Sequence, residues 1–149
     1  MEFIEFAKKN KKVKNLYSLN DEFEIEEYSF LLENTTKYNE FCIGDLVFVG
    51  RYKYKNGKKG NNHIFLIVDL IKTYNRIIYY GMILSSQIQK ITYKSNKLIK
   101  KDYINKLQKD SIIKTDVIYK IFTKNILLKI GNIDKTKVEF YKSCLINNT

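Results

Sequence analysis

Residues that could cut or hold a phosphodiester occur in three separate segments. His63, the only histidine of the chain, begins an apolar segment. Ser85 and Ser86 end a second apolar segment, and Asp116 lies in the middle of a third. An imidazole can take or give a proton near neutral pH, a hydroxyl can donate to a phosphate oxygen, and a carboxylate can act as an acid or base. We predict that these four residues are catalytic.

Cationic residues lie just before the histidine. A segment rich in Lys and Gly, residues 55–60 (KNGKKG), leads towards His63 and carries the turn signal Asn-Gly. Flexible cationic loops suit phosphate contacts, and aromatic rings stack on the bases of single strands. The predicted RNA-binding residues are Arg51, Tyr52, Lys53, Lys55, Lys58, Lys59 and Gln87.

Each of these residues also has an ordinary structural explanation. A single histidine at the start of a strand is commonly a surface or capping residue, and serines at a strand end commonly belong to a turn. Asp116 can pair with Lys114 or Lys120, and a lysine-rich hairpin tip is usually only solvated. The sequence has neither a Cys/His cluster nor a Gly-rich phosphate loop that opens a helix, so we expect no metal and no cofactor.

Length and composition predict one globular domain. The 149 residues are 44% hydrophobic and 14% aromatic, which is too apolar for a disordered chain and enough for one core. No apolar run is long enough to span a bilayer, and the N-terminus lacks the pattern of a secretory signal. Two cysteines far apart in the sequence suit a reducing compartment. We therefore expect a cytoplasmic protein without a membrane partner.

The net charge of +11 favours a polyanionic partner. Residues 1–43 hold 6 Lys against 9 acids, a net charge of −3, whereas residues 44–149 hold 21 Lys and Arg against 7 acids, a net charge of +14. A codon bias acts on the whole chain and does not explain this asymmetry. Only two of the basic residues are Arg, the side chain that pairs with phosphate at two points, so codons rich in adenine and thymine remain a partial explanation of the charge.

The elements that position these residues are predicted as a helical N-terminal arm, residues 1–42, and a mainly β domain, residues 43–149. In the arm, apolar residues at helical spacing begin one helix, and Asn20 followed by acids predicts the start of another. Strands are predicted over residues 46–54, 64–71, 77–84, 93–101, 111–121 and 126–133, and helices over 101–108 and 134–145. Short strands and turns followed by a terminal helix predict a small, strongly curved antiparallel barrel.

The order of elements over residues 43–146 resembles that of the MazF/PemK toxin ribonucleases, small SH3-like barrels of bacterial toxin–antitoxin systems. Family members open with Gly-Asp before the first strand, end the third strand in a hydroxyl residue near a Gln, and begin the next strand with a basic residue followed by Asp-Ser. The corresponding segments here are residues 44–47 (GDLV), 84–87 (LSSQ) and 109–113 (KDSII). The family's flexible loop and apolar second strand correspond to residues 55–60 and 64–69.

The resemblance implies metal-free cleavage of single-stranded RNA, an antitoxin made of protein or of RNA, and a homodimer. The family's catalytic Arg position is occupied here by Asn62-His63. The family's catalytic Thr corresponds to Ser85 or its neighbour Ser86, and its later acid corresponds to Asp116. Two alternatives stay open: a nucleic-acid-binding barrel that has lost the catalytic Arg, and a protein-interaction barrel whose charge reflects codon usage.

Overall fold

Strands make up most of the regular structure in the computed structural model, which describes residues 2–18, 40–50, 52–53 and 56–147. The α-helices in these ranges are α1 (Glu2–Lys9) and α2 (Lys135–Asn147), and short 3-10 helices cover Ile88–Thr92 and Thr123–Asn125. The strands are β1 (Val13–Asn15), β2 (Tyr17–Ser18), β3 (Asp45–Val49), β4 (Tyr52–Lys53), β5 (His63–Lys72), β6 (Ile77–Ser85), β7 (Asn96–Ile99), β8 (Ser111–Lys114), β9 (Ile118–Phe122) and β10 (Ile126–Asn132). The predicted mainly β class is confirmed. No helix within the described ranges is long and apolar enough to cross a membrane.

Eight of the strands form one mixed sheet. Its main path is β1-β9-β6-β5-β3-β10, and the β7–β8 hairpin joins it through the last residues of β6. β1 runs parallel to β9, and the other pairs of this sheet are antiparallel. The remaining strands, β2 and β4, pair with each other as a separate ribbon.

The predicted closure of the sheet into a barrel is wrong. Among the described residues β10 pairs only with β3, and β9 has β6 on one edge and β1 on the other. The outer edge of β9 is occupied because residues 13–15, which we predicted to be part of a helical arm, add a parallel strand there. The sheet is therefore open, with a parallel pair at one end.

The core lies on both faces of this sheet. On one face, Ile4 of α1 and Val138 of α2 are buried in the same cluster as Leu66 of β5. On the other face Phe65 and Ile67 are buried, as the alternation of a strand requires. The described part of the N-terminal arm thus belongs to the same core as the β domain. The helix predicted from Asn20 lies outside the described residues.

Hydrogen bonds outside the ladders explain where the observed strands differ from the predicted ones. The strand predicted over 111–121 is divided into β8 and β9 because Thr115, which is fully buried, donates from its backbone N–H (3.0 Å) and its hydroxyl (2.6 Å) to the carbonyl of Ser95. The strand predicted over 46–54 is divided into β3 and β4 at Gly50, whose N–H donates to Asn125 O at 2.9 Å. The strands predicted over 64–71, 77–84 and 126–133 and the C-terminal helix are confirmed.

The helix predicted over residues 101–108 is wrong, because residues 100–110 form an irregular loop, called here the Asn105 loop. Asn105 is only 3% exposed. Its Oδ1 accepts hydrogen bonds from the N–H groups of Asp102 and Leu107, both at 3.0 Å, and its Nδ2 donates to Lys100 O at 2.9 Å. One buried side chain thus satisfies three backbone groups that a helix would have paired differently.

The Asn105 loop lies directly on β10 at Gly131. A side chain at position 131 would place its Cβ 2.6 Å from the carbonyl carbon of Asn105 and 2.7 Å from Ile104 O. These are backbone atoms, which cannot move aside as the end of a flexible side chain can. The glycine therefore allows the close approach that fixes the loop beside the ends of β5 and β6.

Candidate functional site

A groove of about 740 Å³ lies where β5 begins and β6 ends. It brings together four residues that the sequence analysis selected: His63, Ser85, Ser86 and Gln87. The Asn105 loop supplies further lining residues, among them two lysines. None of the described residues that line the groove is acidic, so its charged side chains favour an anion.

Strand register explains why the histidine and the hydroxyls meet. β5 and β6 pair with Phe65 opposite Ile83, and extending that register by two residues sets His63 opposite Ser85. Because side chains alternate along a strand, His63 and Ser85 belong to one face of the sheet, whereas Ser86 lies in the bend that follows β6. The groove at the end of the sheet is lined from both faces, and Ser85 is the hydroxyl on the histidine's face.

The Ser85 hydroxyl is held by its own turn. Its Oγ accepts a hydrogen bond from the N–H of Gln87 at 3.2 Å. An oxygen that accepts this bond keeps its own proton for donation to a ligand. The turn therefore orients Ser85 towards the role of a hydrogen-bond donor.

The environment of His63 favours its neutral form. The side chain is half-buried, and burial lowers the pKa of the imidazole below 6.5, with the positive charge of Lys114 lowering the pKa further. Extending the pairing of β6 with β8 sets Lys114 opposite Ile83, on the sheet face of His63. A neutral imidazole can accept a proton, so His63 is suited to act as a general base at neutral pH.

The lowered pKa of His63 predicts an effect on stability. Between the folded pKa and 6.5 the unfolded chain binds a proton that the folded chain does not, so the free energy of unfolding falls as the pH falls through that window and is unaffected by His63 above it. When the pH is lowered from about 7.5 to about 5.5, we expect the free energy of unfolding, measured in urea, to fall less for His63→Gln than for the wild type. Parallel pH dependences of the two proteins would contradict this account.

Two lysines in the groove were not selected from the sequence. Lys106 and Lys109, both exposed, line the groove from the Asn105 loop. Lys106 was missed because we predicted a helix over this segment. Its backbone is left-handed (φ 56°), a conformation that a right-handed helix does not contain. The available signal was Asp102 with Asn105 three residues later, since these residue types commonly hydrogen-bond nearby backbone in loops.

The predicted cationic residues before β5 lie outside the groove lining. Lys53 pairs through its backbone with Lys59 across the loop, and Lys58 N–H donates to Asn56 Oδ1 at 3.0 Å. These three lysine side chains are exposed. Arg51 and Lys55, which we also predicted to bind RNA, lie outside the described residues.

The structure corrects the prediction that Tyr52 stacks on a base. The side chain is 1% exposed, and its hydroxyl donates to Asn61 O. Its ring covers Gly60, where any Cβ would overlap the ring atoms. Tyr52 therefore anchors the loop in front of His63 and leaves no ring face for a nucleotide.

Asp116 lies in a second depression of about 610 Å³, called here the basic basin, which is lined by Lys90, Tyr93, Lys94, Lys114 and Asp116 among others. The bend at residues 115–117 between β8 and β9 places the carboxylate there. The imidazole and the hydroxyls thus share one groove, whereas the predicted acid does not line it. A proton for a leaving group in the groove has to come from elsewhere.

No matching family model or curated protein was found for this chain. Within the described ranges, no three His, Cys, Asp or Glu side chains are grouped so as to hold a metal ion. The groove itself holds a histidine whose lowered pKa favours the neutral form, together with hydroxyl donors and lysines. This set can bind a phosphodiester and can remove a proton from a neighbouring hydroxyl.

Proposed function

We propose that the protein is an endoribonuclease that binds single-stranded RNA in the groove and cuts it by attack of a ribose 2′-hydroxyl, without a metal. The observation that carries the proposal is the placement of His63, with its lowered pKa, in one groove with Ser85 and the two lysines of the Asn105 loop. RNA fits better than DNA because the general base, His63, takes its proton from a ribose 2′-hydroxyl, which DNA lacks.

In the proposed reaction, His63 accepts the proton of the 2′-hydroxyl as the 2′-oxygen bonds to phosphorus. The bond from phosphorus to the 5′-oxygen breaks, and that oxygen takes a proton from water or from a lysine ammonium of the groove. The products are a 2′,3′-cyclic phosphate and a 5′-hydroxyl, and His63 later returns its proton to solvent. Ser85 donates to a phosphate oxygen while Lys106 and Lys109 balance its growing negative charge.

We propose that the protein is the toxin of a bacterial toxin–antitoxin module and that it acts in the cytoplasm. Its partner is an antitoxin made of protein or of RNA. This part rests on the resemblance of residues 43–146 to the MazF/PemK ribonucleases. The open sheet departs from that family's barrel, so the groove supports the activity and the resemblance supports only the role. A homodimer belongs to the same part of the proposal.

One observation favours a second function, an RNA-binding protein without catalysis. No carboxylate is present among the described residues of the groove lining, and the position of the family's catalytic Arg holds Asn62-His63. A groove of this kind binds RNA through charge and hydrogen bonds alone. It predicts salt-sensitive binding and no cleavage products.

Cleavage and binding assays in EDTA separate the two functions. We expect the purified protein to convert single-stranded RNA into fragments with cyclic phosphate ends, and intact RNA with tight binding would favour the second function.

Removing both groove charges with Lys106→Gln/Lys109→Gln should reduce the slope of log K against log salt by about 1.4, since each phosphate contact to a single strand contributes about 0.7.

The matched control for this charge change is Lys8→Gln/Lys9→Gln. These lysines are exposed in the last turn of α1 and do not line the groove. The control removes the same charge from the protein and should leave the slope unchanged. Equal slopes for the groove variant and the wild type would refute binding of RNA in the groove.

A further inference from the structure

We infer that the basic basin is a base-recognition site for a guanine near the cut, in which Tyr93 stacks on the base and the Asp116 carboxylate accepts hydrogen bonds from its Watson–Crick edge. This inference rests on the proposed function, because it assigns the neighbouring nucleotide of the same RNA. The basin is separate from the groove that holds the histidine.

Charge indicates that the basin takes a nucleotide and that Asp116 faces a base. Three lysines line it, and Asp116 is the one acidic side chain among its described lining residues. The lysines suit the phosphates of a strand. A carboxylate repels phosphate and only accepts hydrogen bonds, so within a nucleotide site its favourable partner is the donor edge of a base. None of the ion pairs observed in the described residues involves Asp116.

Tyr93 provides an exposed aromatic surface on a fixed backbone. Its side chain is 62% exposed. Its N–H donates to Lys90 O at 3.1 Å, and its carbonyl accepts from the N–H of Asn96 at 3.0 Å. Asn96 is buried, and its Nδ2 donates to Lys90 O at 2.8 Å. The backbone below the tyrosine is therefore held in place, as a stacking platform requires.

The carboxylate selects guanine among the four bases. Guanine presents two adjacent donors on its Watson–Crick edge, the N1–H and the 2-amino group, which match the two oxygens of a carboxylate in a bidentate arrangement. Adenine and cytosine present one amino group beside an acceptor, and uracil presents one N–H between two acceptors. Each of these three bases would place a hydrogen-bond acceptor against the carboxylate of Asp116, which can only accept.

β8 connects the basin with the groove. Ile112 pairs with Ser85 of the groove, and Lys114, which lines the basin, lies two residues further along β8 on the same face of the sheet, a step of about 7 Å. The charge of Lys114 also acts on His63. A strand of RNA that lies in the groove therefore has the basin within reach, where Lys114 can contact a phosphate.

The test uses oligonucleotides that differ only in the base at each position around one cut, assayed for cleavage and, in 2′-O-methyl form, for binding. We expect guanine at one position to be favoured about 10-fold or more, as for a good bidentate contact to one base. Asp116→Asn should remove that preference while oligonucleotides without guanine react within about 3-fold of the wild type. Tyr93→Ala should weaken binding of every sequence about 10-fold, because stacking does not depend on the base.

The matched control is Glu5→Gln, which removes an exposed carboxylate of α1 outside the basin and should keep the preference for guanine. Cleavage or binding of RNA by the wild type with no preference for guanine, or a preference that Asp116→Asn retains, would overturn the inference and leave the proposed function standing. A wild-type protein that neither binds nor cuts any RNA would overturn both.

Discussion

Replacing His63 with alanine should reduce the rate of RNA cleavage by about 10²- to 10⁴-fold, the usual contribution of a general base. The residue is the single histidine of the chain, so no other imidazole can take its place. RNA affinity should change little, because the neutral imidazole adds no charge to the groove. Single-turnover cleavage with saturating protein, together with binding of 2′-O-methyl RNA, separates the two effects.

The two serines provide an internal comparison for the same assay. Ser85 is on the histidine's face of the sheet and Ser86 lies in the bend beyond β6. Ser85→Ala should therefore reduce the cleavage rate by about 10²-fold, in the range seen when one oxyanion donor is removed, and Ser86→Ala should reduce it less. Undiminished cleavage by both His63→Ala and Ser85→Ala would reject this assignment of the active site.

Replacing Asn105 with alanine should cost about 2 to 4 kcal/mol of folding stability, because a backbone N–H in a buried place and an N–H and a carbonyl in partly buried places lose their partner. The free energy of unfolding in urea measures this cost. Asn10→Ala is the matched control, because its Nδ2 makes one exposed hydrogen bond to Phe6 O at 3.0 Å. We expect that control to lose less than about 1 kcal/mol.

Gly131→Ala tests the same loop from the opposite side. Its Cβ would meet backbone atoms of Ile104 and Asn105, so the loop must move away from β10 and carry its two lysines out of place. We expect both variants, where folded, to bind RNA more weakly than the wild type at low salt. A stable Asn105→Ala protein with unchanged RNA affinity would show that the loop does not form a wall of the site.

Local sequence patterns predicted the central strands and the C-terminal helix. Continuous apolar runs bounded by turn residues located β5 and β6. Asp134 before the last helix is a typical N-cap, and its Oδ1 accepts from Thr136 N–H at 3.3 Å. The signals were sufficient because each one comes from neighbouring residues.

The elements that were mispredicted depend on partners distant in the sequence. β1 is a strand because Val13 pairs with Ile118. No local sequence pattern predicts a parallel pairing between two segments so far apart in the sequence. Thr115 breaks a β-branched run through its bonds to Ser95. Without that bend Asp116 would continue the strand, which is why its place in the basic basin could not be read from the sequence.

Part of the site followed from residue types, and the rest required the register. His63 and the serines were selected because of their chemistry and position at strand ends. The register in which β5 pairs with β6 sets His63 opposite Ser85 on one face of the sheet. The two lysines of the Asn105 loop depend on an irregular loop, for which side-chain hydrogen bonds matter more than any periodic pattern.

The most direct test of the account is proton NMR of the His63 imidazole during titration with 2′-O-methyl single-stranded RNA, which binds without being cut. The chain has one histidine, so its ring signals need no mutant for their assignment. We predict that these signals shift saturably, with the same dissociation constant as that measured for RNA binding by the whole protein. Ring signals that stay unmoved while the RNA is fully bound would contradict the claim that RNA lies in the groove at His63.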